Sequence, residues 1–284
     1  MRLDKRRLEE NLFKTIMIVS SIVVVTGLLT VLVVILFKGI PALSISMLTE
    51  LPRGGYYLGR EGGILNAIVG SLYLTAGATL AAFLIGFSVA VYLHEYARGS
   101  RLANFTRQSL DVLWGVPSII FGAFGFTIMI YLGMRASLLG GILALTLLEL
   151  PIMTRTIDEA INMVPLHVKE ASYALGATRV ETTLNVIARQ ALPGIAMAIL
   201  LSFGRAIGDA ASILFTAGYA DSIPRSLFDP VASLPLAVFF QLGVPFPEVQ
   251  QRAYASAAIL LLIVLALSIS SRILTWKFMK HLIK

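Results

Sequence analysis

Long apolar runs alternate with short polar segments along nearly the whole chain. A helix needs roughly 20 mostly apolar residues to cross the hydrocarbon core of a bilayer. Six stretches reach or approach that length, and they lie at residues 16–37, 64–93, 109–134, 138–156, 190–218 and 253–276. The pattern therefore predicts an all-α membrane protein with six transmembrane helices.

Two of these stretches, and one connection between stretches, carry irregularities. Gly115-Val116-Pro117 interrupts the third span, where proline removes a backbone donor and favours a kink or a break. The fourth span is marginal, with Glu149 and Pro151 near its end. The connection 219–252 holds an apolar patch at 234–242 that is too short to cross, which favours a re-entrant or interfacial segment on the outer face.

Composition and charge fix the class and the orientation. Hydrophobic residues make up 57% of the chain and charged residues 14%, against about a quarter charged in soluble domains. With both termini cytoplasmic, the inner segments hold 16 of the 23 Lys and Arg residues and the outer segments hold 6. Such a bias is typical of cytoplasmic loops, so we expect a multi-pass membrane protein with both termini in the cytoplasm. The net charge of +7 then reflects orientation and predicts no nucleic-acid partner.

A polar, helix-forming segment at 165–193 lies between two apolar runs. Pro165 suits a first helical position, where a missing N–H costs nothing. Gly176 supplies a stop, because glycine takes left-handed backbone angles cheaply. Thr178 and Glu181 have the spacing of a capping box that begins a second helix. The sequence therefore predicts a stiff cytoplasmic hairpin that another protein can bind.

The same segment resembles the cytoplasmic "EAA" loop of permeases from ATP-binding-cassette (ABC) importers. The residues that carry the resemblance are Glu170, Ala171, Ser172, Gly176, Ile187, Leu192 and Pro193. Ser172 replaces the second alanine of that pattern, and the spacing from Ile187 to Pro193 is looser. The resemblance implies that the loop docks on a separate ATP-hydrolysing subunit and passes its closure to the membrane helices. The small Ala171 and Ser172 would let the helix backbone seat closely. An ordinary amphipathic connector is the alternative.

One arginine falls within the fifth predicted span. Arg205 at mid-membrane depth costs about 2.5–3.5 kcal/mol on insertion scales, and Asp209 follows one helical turn later. Gly204 and Gly208 form a stripe of small residues that lets another helix approach. Two explanations stay open: the two charges neutralise each other and fix the bundle, or Arg205 lines a pathway and binds an anion through its planar fork of donors. In the second, Asp209 holds the arginine when the pathway is empty.

A second resemblance points to phosphate-importer permeases of the ABC class, of the PstA rather than the PstC type. It covers about residues 64–276 and rests on Leu150-Pro151, Arg155-Thr156, Glu159, Gly204 to Asp209, Leu214 to Ala217, Ala232 to Pro235 and Gln241. It implies a type I importer permease (MetI-like) fold in a bacterial or archaeal cytoplasmic (inner) membrane, in which Arg205 serves phosphate passage. Asp209 stands where a glutamate is usual, and Ala211-Ser212 replace an expected Ala-Pro.

Two further residues are candidates for a secondary place on the pathway. Glu149 could belong to it, although a position near the inner interface is favoured. Pro117 could break the third helix and expose backbone N–H groups, or it could be an ordinary kink.

No phosphate-binding loop of the Gly-x-x-x-x-Gly-Lys-Ser/Thr type occurs in the chain, and no Gly-x-Ser-x-Gly or His-Glu-x-x-His, so we expect no ATPase site, no catalytic residues and no cofactor of its own. The chain has no cysteine and only three scattered histidines, so we expect no metal site.

The resemblance also implies partners. These are a second, PstC-like permease, two ATP-binding subunits, an extracytoplasmic phosphate-binding protein and membrane lipid.

The expected organisation has four parts: a cytoplasmic tail at 1–15, a first span with its outer loop at 16–63, a permease core at 64–276 with its coupling hairpin at 158–190, and a cytoplasmic tail at 277–284. Alternatives are a permease for sulfate, molybdate or phosphonate, or a carrier driven by an ion gradient with Arg205, Asp209 and Glu149 as its relay. A membrane-embedded enzyme has the least support.

Overall fold

The computed structural model describes residues 2–53 and 61–279. The helices are α1 (Arg2–Gly39), α2 (Ile45–Thr49), α3 (Leu65–Glu95), α4 (Arg101–Trp114), α5 (Ser118–Tyr131), α6 (Leu138–Asn162), α7 (Leu166–Ala174), α8 (Arg179–Glu181), α9 (Ala188–Gln190), α10 (Leu192–Ala206), α11 (Leu234–Leu242) and α12 (Pro247–Met279). Between α1 and α3, β1 (Pro52–Arg53) and β2 (Glu61–Gly62) pair antiparallel. The helical class predicted from the sequence is confirmed.

Four helices of the described chain are long and apolar enough to cross a membrane. They lie at Glu9–Ala42, Leu65–Glu95, Leu138–Asn162 and Pro247–Ile273. Two bent helix pairs raise the number to six if each pair counts as one span. The sequence prediction of six spans thus depends on how these two pairs are counted.

The first bent pair is the predicted third span. α4 and α5 meet at 104° across residues 115–117, so the break expected at Gly115-Val116-Pro117 is confirmed. Pro117 stands at the N-cap of α5, where its missing N–H leaves no gap in the helix. The predicted range 109–134 was too short at its beginning, since α4 already begins at Arg101.

The second bent pair corrects the predicted fifth span. The return segment Arg179–Gln190 meets α10 at 70°, and α10 ends at Ala206. Residues 207–218 continue as turns rather than as a helix. The prediction of one helix over 190–218 is therefore wrong, because hydropathy reports burial and not backbone conformation.

α6 is longer than predicted and forms the centre of the bundle. It continues through Pro151 to Asn162, beyond the predicted end at residue 156. Its apolar faces pack against α3, α5 and α10, and Leu145, Ile152 and Ile157 are almost fully buried. The fourth predicted span is thus the best-buried helix of the described chain rather than a marginal one.

The first and last helices both extend beyond the spans predicted for them. α1 extends from Arg2, so residues 2–15 of the predicted N-terminal tail are helical. It reaches the bundle near Gly39, where an added Cβ would lie 2.5 Å from the carbonyl oxygen of Tyr254. α12 runs to Met279, and the remainder of the predicted tail 277–284 lies outside the described residues.

The short apolar patch in the outer connection forms α11. Leu234, Leu236 and Ala237 are completely buried, and the helix packs against α3 and α12. Ser233 caps its beginning by accepting from the N–H of Leu236 at 3.3 Å. The patch is thus a separate helix too short to span, and it packs into the core of the bundle, while the predicted re-entrant or interfacial position on the outer face stays a prediction.

Candidate pathway and coupling sites

The coupling hairpin has the turn and the helix cap that the sequence predicts. Gly176 has a φ of +82°, in the left-handed region that favours glycine. The hydroxyl of Thr178 accepts from the N–H of Glu181 at 3.3 Å, and the Glu181 carboxylate accepts from the N–H of Thr178 at 2.8 Å. The capping box is thus confirmed. Pro165 is the N-cap of α7 rather than its first residue, one position earlier than expected.

The two small residues of the hairpin face different ways. Ser172 is buried and shares a hydrogen bond of 2.9 Å with the hydroxyl of Thr182, across the two arms. Ala171 and Glu170 are exposed. The hydroxyl of Ser172 therefore joins the two arms of the hairpin. The small side chain of exposed Ala171 leaves room for another protein to approach the backbone of α7.

Apolar side chains are uncovered at the tip of the hairpin. Leu175 is 89% exposed, and Val180 and Leu184 are 55% and 51% exposed. Several exposed apolar side chains next to a rigid turn are typical of a protein contact. We call these three side chains, together with the exposed Glu170, the hairpin tip.

Two residues that the sequence reasoning missed fix the hairpin to the bundle. Lys169 of α7 donates to both carboxylate oxygens of Glu95, at 2.6 and 2.7 Å, and Glu95 lies at the end of α3. His94 Nδ1 lies 3.0 Å from Glu95 Oε1. Since 74 residues separate Lys169 from Glu95, no local signal in the sequence predicted this pair.

Arg205 lies where α10 gives way to irregular backbone. It belongs to the last turn of the helix, rather than to the middle of a span as predicted. Its side chain is exposed, and within the part of the chain that the structure describes it has no ion pair or hydrogen bond. The guanidinium is therefore free to bind a group from outside this chain.

Asp209 does not pair with Arg205 in this structure. Its Oδ1 accepts from the N–H and from the hydroxyl of Ser212, both at 2.8 Å. An aspartate that satisfies backbone N–H groups three residues on is a turn-capping residue. The expected neutralising pair is thus replaced by a cap, because the helix ends at Ala206 and Asp209 no longer follows on its face.

Several residues in the turns after Asp209 are buried, and two of their carbonyl groups accept hydrogen bonds from other parts of the chain. Ser212, Thr216 and Ala217 have no exposed surface. The carbonyl of Thr216 accepts from the N–H of Ser137 at 2.9 Å, and that of Ala217 accepts from the N–H of Val231 at 3.0 Å. Irregular backbone at membrane depth is tolerated when it is buried in protein or lines a cavity.

Glycines of neighbouring helices make room for this segment. A Cβ at Gly122 of α5 would lie 2.7 Å from the carbonyl oxygen of Ser212, and one at Gly140 of α6 would lie 2.8 Å from that of Thr216. In contrast, nothing lies within 4 Å of a Cβ at Gly204. The stripe of Gly204 and Gly208 therefore receives no helix from the described chain, and its predicted role stays open to a partner.

Glu149 lies in the middle of α6 and is completely buried. Its Oε2 accepts from the hydroxyl of Thr79 at 2.9 Å, while Oε1 has no partner among the described residues. Because α6 continues to Asn162, Glu149 lies near the middle of this helix rather than near its end, and its place relative to the membrane interface and the pathway stays a prediction. No group of His, Asp and Glu within the described residues could hold a metal ion.

Comparison with known proteins places this architecture in one class. The family model for the binding-protein-dependent transport system inner membrane component matches residues 82–277, and the chain belongs to this family. Its relatives include the phosphate transport system permease protein PstA of Haemophilus influenzae, 34% identical over 96% of both chains. PstA 1 of Mycobacterium tuberculosis is also 34% identical, over 94% of this chain and 88% of its own.

Solved structures support the fold alone. An inward-facing MetNI methionine ABC transporter matches with a TM-score of 0.59 and 19% identity, over 76% of this chain and 95% of its own. An amino acid ABC transporter matches with a TM-score of 0.58 and 18% identity, over 75% of this chain and 93% of its own. The MetI-like fold expected from the sequence is thereby supported. Membership of the family shown above, rather than these structures, makes the protein a transport subunit of an ABC importer.

Proposed function

We propose that this chain is a permease subunit of an ATP-driven importer that moves inorganic phosphate across the cytoplasmic membrane. The similarity to PstA proteins over nearly the whole chain supports the substrate class. The observation that carries the proposal is Arg205, an exposed arginine without a partner in the described chain at the break of an apolar segment.

The proposed role of Arg205 follows from its chemistry. A guanidinium keeps its charge and offers a planar fork that binds two oxygens of a phosphate group at once. A permease must also release its substrate, so a single exposed arginine suits transient contact better than a closed binding site. Asp209 acts indirectly in this proposal, because it caps the turn that follows the arginine.

The proposed role of the hairpin is coupling. Its tip presents Leu175, Val180 and Leu184 to a partner, and its base is tied to α3 by Lys169 and Glu95. Movement of the tip would therefore reach the bundle instead of being lost in a flexible loop. ATP is bound by two partner ATPase subunits in this proposal, and the permease has no ATPase site and no cofactor of its own.

The complete importer contains further partners. We infer a second, PstC-like permease, an extracytoplasmic phosphate-binding protein and surrounding lipid, with both termini of this chain cytoplasmic. The Lys and Arg bias supports the orientation. The uncovered stripe of Gly204 and Gly208 offers one place where the second permease could approach.

Another oxyanion is the second candidate substrate. Asp209 in place of glutamate, and Ala211-Ser212 in place of Ala-Pro, depart from the phosphate pattern next to Arg205. Since Ser212 donates to Asp209, these departures change the local turn together. Sulfate, molybdate and phosphonate are therefore the competitors to test, while membership in an ABC family argues against a carrier driven by an ion gradient.

Uptake by the reconstituted importer tests the proposal. Proteoliposomes that contain this chain, its partner permease, the ATPase and the binding protein should accumulate radiolabelled phosphate only when ATP is supplied. Arsenate should compete, because its geometry and charge match those of phosphate, whereas sulfate should not. Uptake of sulfate in preference to phosphate would replace the proposed substrate, and uptake without ATP would overturn the mechanism.

A further inference from the structure

The inner end of α6 is joined to α4 by one buried carboxylate. Arg107 of α4 donates Nε to Oδ2 of Asp158 at 2.8 Å and Nη2 to Oδ1 at 3.0 Å. The Asp158 side chain has no exposed surface, and that of Arg107 is 22% exposed. Two parallel hydrogen bonds between planar groups fix orientation as well as distance. This pair therefore holds α4 at a defined angle to α6.

Arg155 completes the cluster from the side of α6. It donates Nη1 to Asp158 Oδ2 at 3.3 Å and Nε to Asp111 Oδ1 at 2.8 Å. Its Nη2 lies 3.5 Å from Glu159 Oε1. Asp111 and Glu159 are 51% and 59% exposed, and exposed ion pairs contribute little. Asp158 is thus the member of this cluster that is held by two arginines away from water.

The α6 side of the cluster belongs to the same packed unit as the hairpin. Ile157 and Ile161 of α6 share a hydrophobic core with Ile187 of the return segment Arg179–Gln190. A Cβ at Gly194 would overlap that of Ala160, so α10 begins in direct contact with α6. Any displacement of the hairpin should therefore move the end of α6 with it.

The α4 side of the cluster is less tightly packed than the α6 side. α4 ends at a break of residues 115–117 and meets α5 at 104°. Its outer face is uncovered, since Phe105 and Val112 are 68% and 70% exposed. Apart from Ala103 and Leu110, no residue of α4 is buried. The arginine cluster is consequently its main specific connection to α6.

We propose that Asp158 is the positioning residue that passes movement of the coupling hairpin to α4, which then turns relative to α5 at the joint 115–117. The inference rests on the proposed function, because it requires a hairpin moved by an ATPase. Asp158 touches no substrate and acts through Arg107. Without its charge, the hairpin and α6 would move while α4 stays behind.

Asp158→Asn tests this in the complete reconstituted importer. The substitution keeps the shape and removes the charge. We expect ATP hydrolysis within about twofold of wild type and transport per ATP lower by about tenfold or more, the usual range of a coupling free energy. Glu159→Gln is the matched control, since it removes a neighbouring but exposed charge, and it should keep the wild-type ratio. A wild-type ratio in Asp158→Asn would overturn the inference.

A distance measurement separates this role from a merely structural one. The chain contains no cysteine, so Gln108→Cys and Ile119→Cys can carry spin labels on either side of the joint without background. ATP should change the distance between the labels in the otherwise unaltered protein and leave it constant after Asp158→Asn. An equal change in both proteins would contradict the proposal.

Failure of the proposed function and failure of the inference about Asp158 give different results. If the wild-type importer fails to accumulate phosphate, the proposed substrate is wrong, yet the ATP-dependent distance still tests Asp158. If Asp158→Asn does not assemble, Arg107→Lys replaces it, since lysine keeps the charge and loses the bidentate geometry. That variant should lower transport per ATP, and unchanged coupling would overturn the inference.

Discussion

The coupling hairpin and the broken segment after α10 are both irregular, but their shapes have different origins. The hairpin is shaped by its own residues: Gly176 turns the chain, and Thr178 begins the next helix. The segment 207–218 is shaped by distant residues. Gly122 and Gly140 make room for it.

This difference separates two kinds of functional geometry. A locally determined hairpin can protrude and stay rigid, which suits contact with a partner. A segment held by its surroundings can keep irregular backbone packed in the bundle directly after the exposed Arg205, where a locally stable helix would continue. Substitutions in the hairpin should therefore alter coupling, whereas those around Arg205 should alter the passage of substrate.

The largest effect is expected at Arg205. Arg205→Gln should lower phosphate uptake by roughly 100-fold or more, because two charge-assisted hydrogen bonds are lost. Arg205→Lys keeps the charge without the fork and should be intermediate. Complex assembly, followed by co-purification, should be unchanged in both. Normal uptake by Arg205→Gln would remove the arginine from the pathway.

Gly176→Val tests the hairpin. A φ of +82° costs about 1–2 kcal/mol for an L-residue and more for a branched one, so the turn should deform. We expect transport per ATP to fall by about tenfold while ATP hydrolysis continues. Gly176→Asn is the control, since asparagine tolerates left-handed angles. Equal coupling in both variants and wild type would show that the turn does not transmit force.

Asp209 distinguishes a cap from a charge partner. Asp209→Ala loses two hydrogen bonds of about 1 kcal/mol each, so uptake should fall by roughly fivefold. Asp209→Asn retains an acceptor oxygen for Ser212 and should stay within about twofold of wild type. Radiolabelled uptake measures both. If the asparagine variant were as impaired as the alanine variant, the negative charge itself would be required.

The smallest effect is expected at the capping box. Thr178→Ala should cost about 1 kcal/mol of local helix stability and lower the thermal midpoint of the complex slightly, with uptake within about twofold of wild type. Thr178→Ser keeps the hydroxyl and should match the wild type in a thermal unfolding assay. A large loss of uptake in Thr178→Ala would show that the cap also contacts the partner.

Prediction from the sequence succeeded where short-range chemistry decides structure. The break at Pro117, the turn at Gly176 and the cap at Thr178 each depend on residues within one helical turn. It failed for the 207–218 segment because the same apolar residues can form a buried helix or buried turns. The Lys169 and Asp158 ion pairs were missed because their partners are 74 and 51 residues away.

The amino-acid sequence by itself determined the membrane class, the positions of most helices and the form of the hairpin. Apolar length and local capping are properties that each segment carries alone. Only the tertiary structure decided that α10 ends at Ala206, that Asp209 caps Ser212, and that Glu149 is buried in the middle of α6. Those outcomes depend on which neighbours supply hydrogen bonds and space, and packing brings these neighbours together from distant parts of the chain.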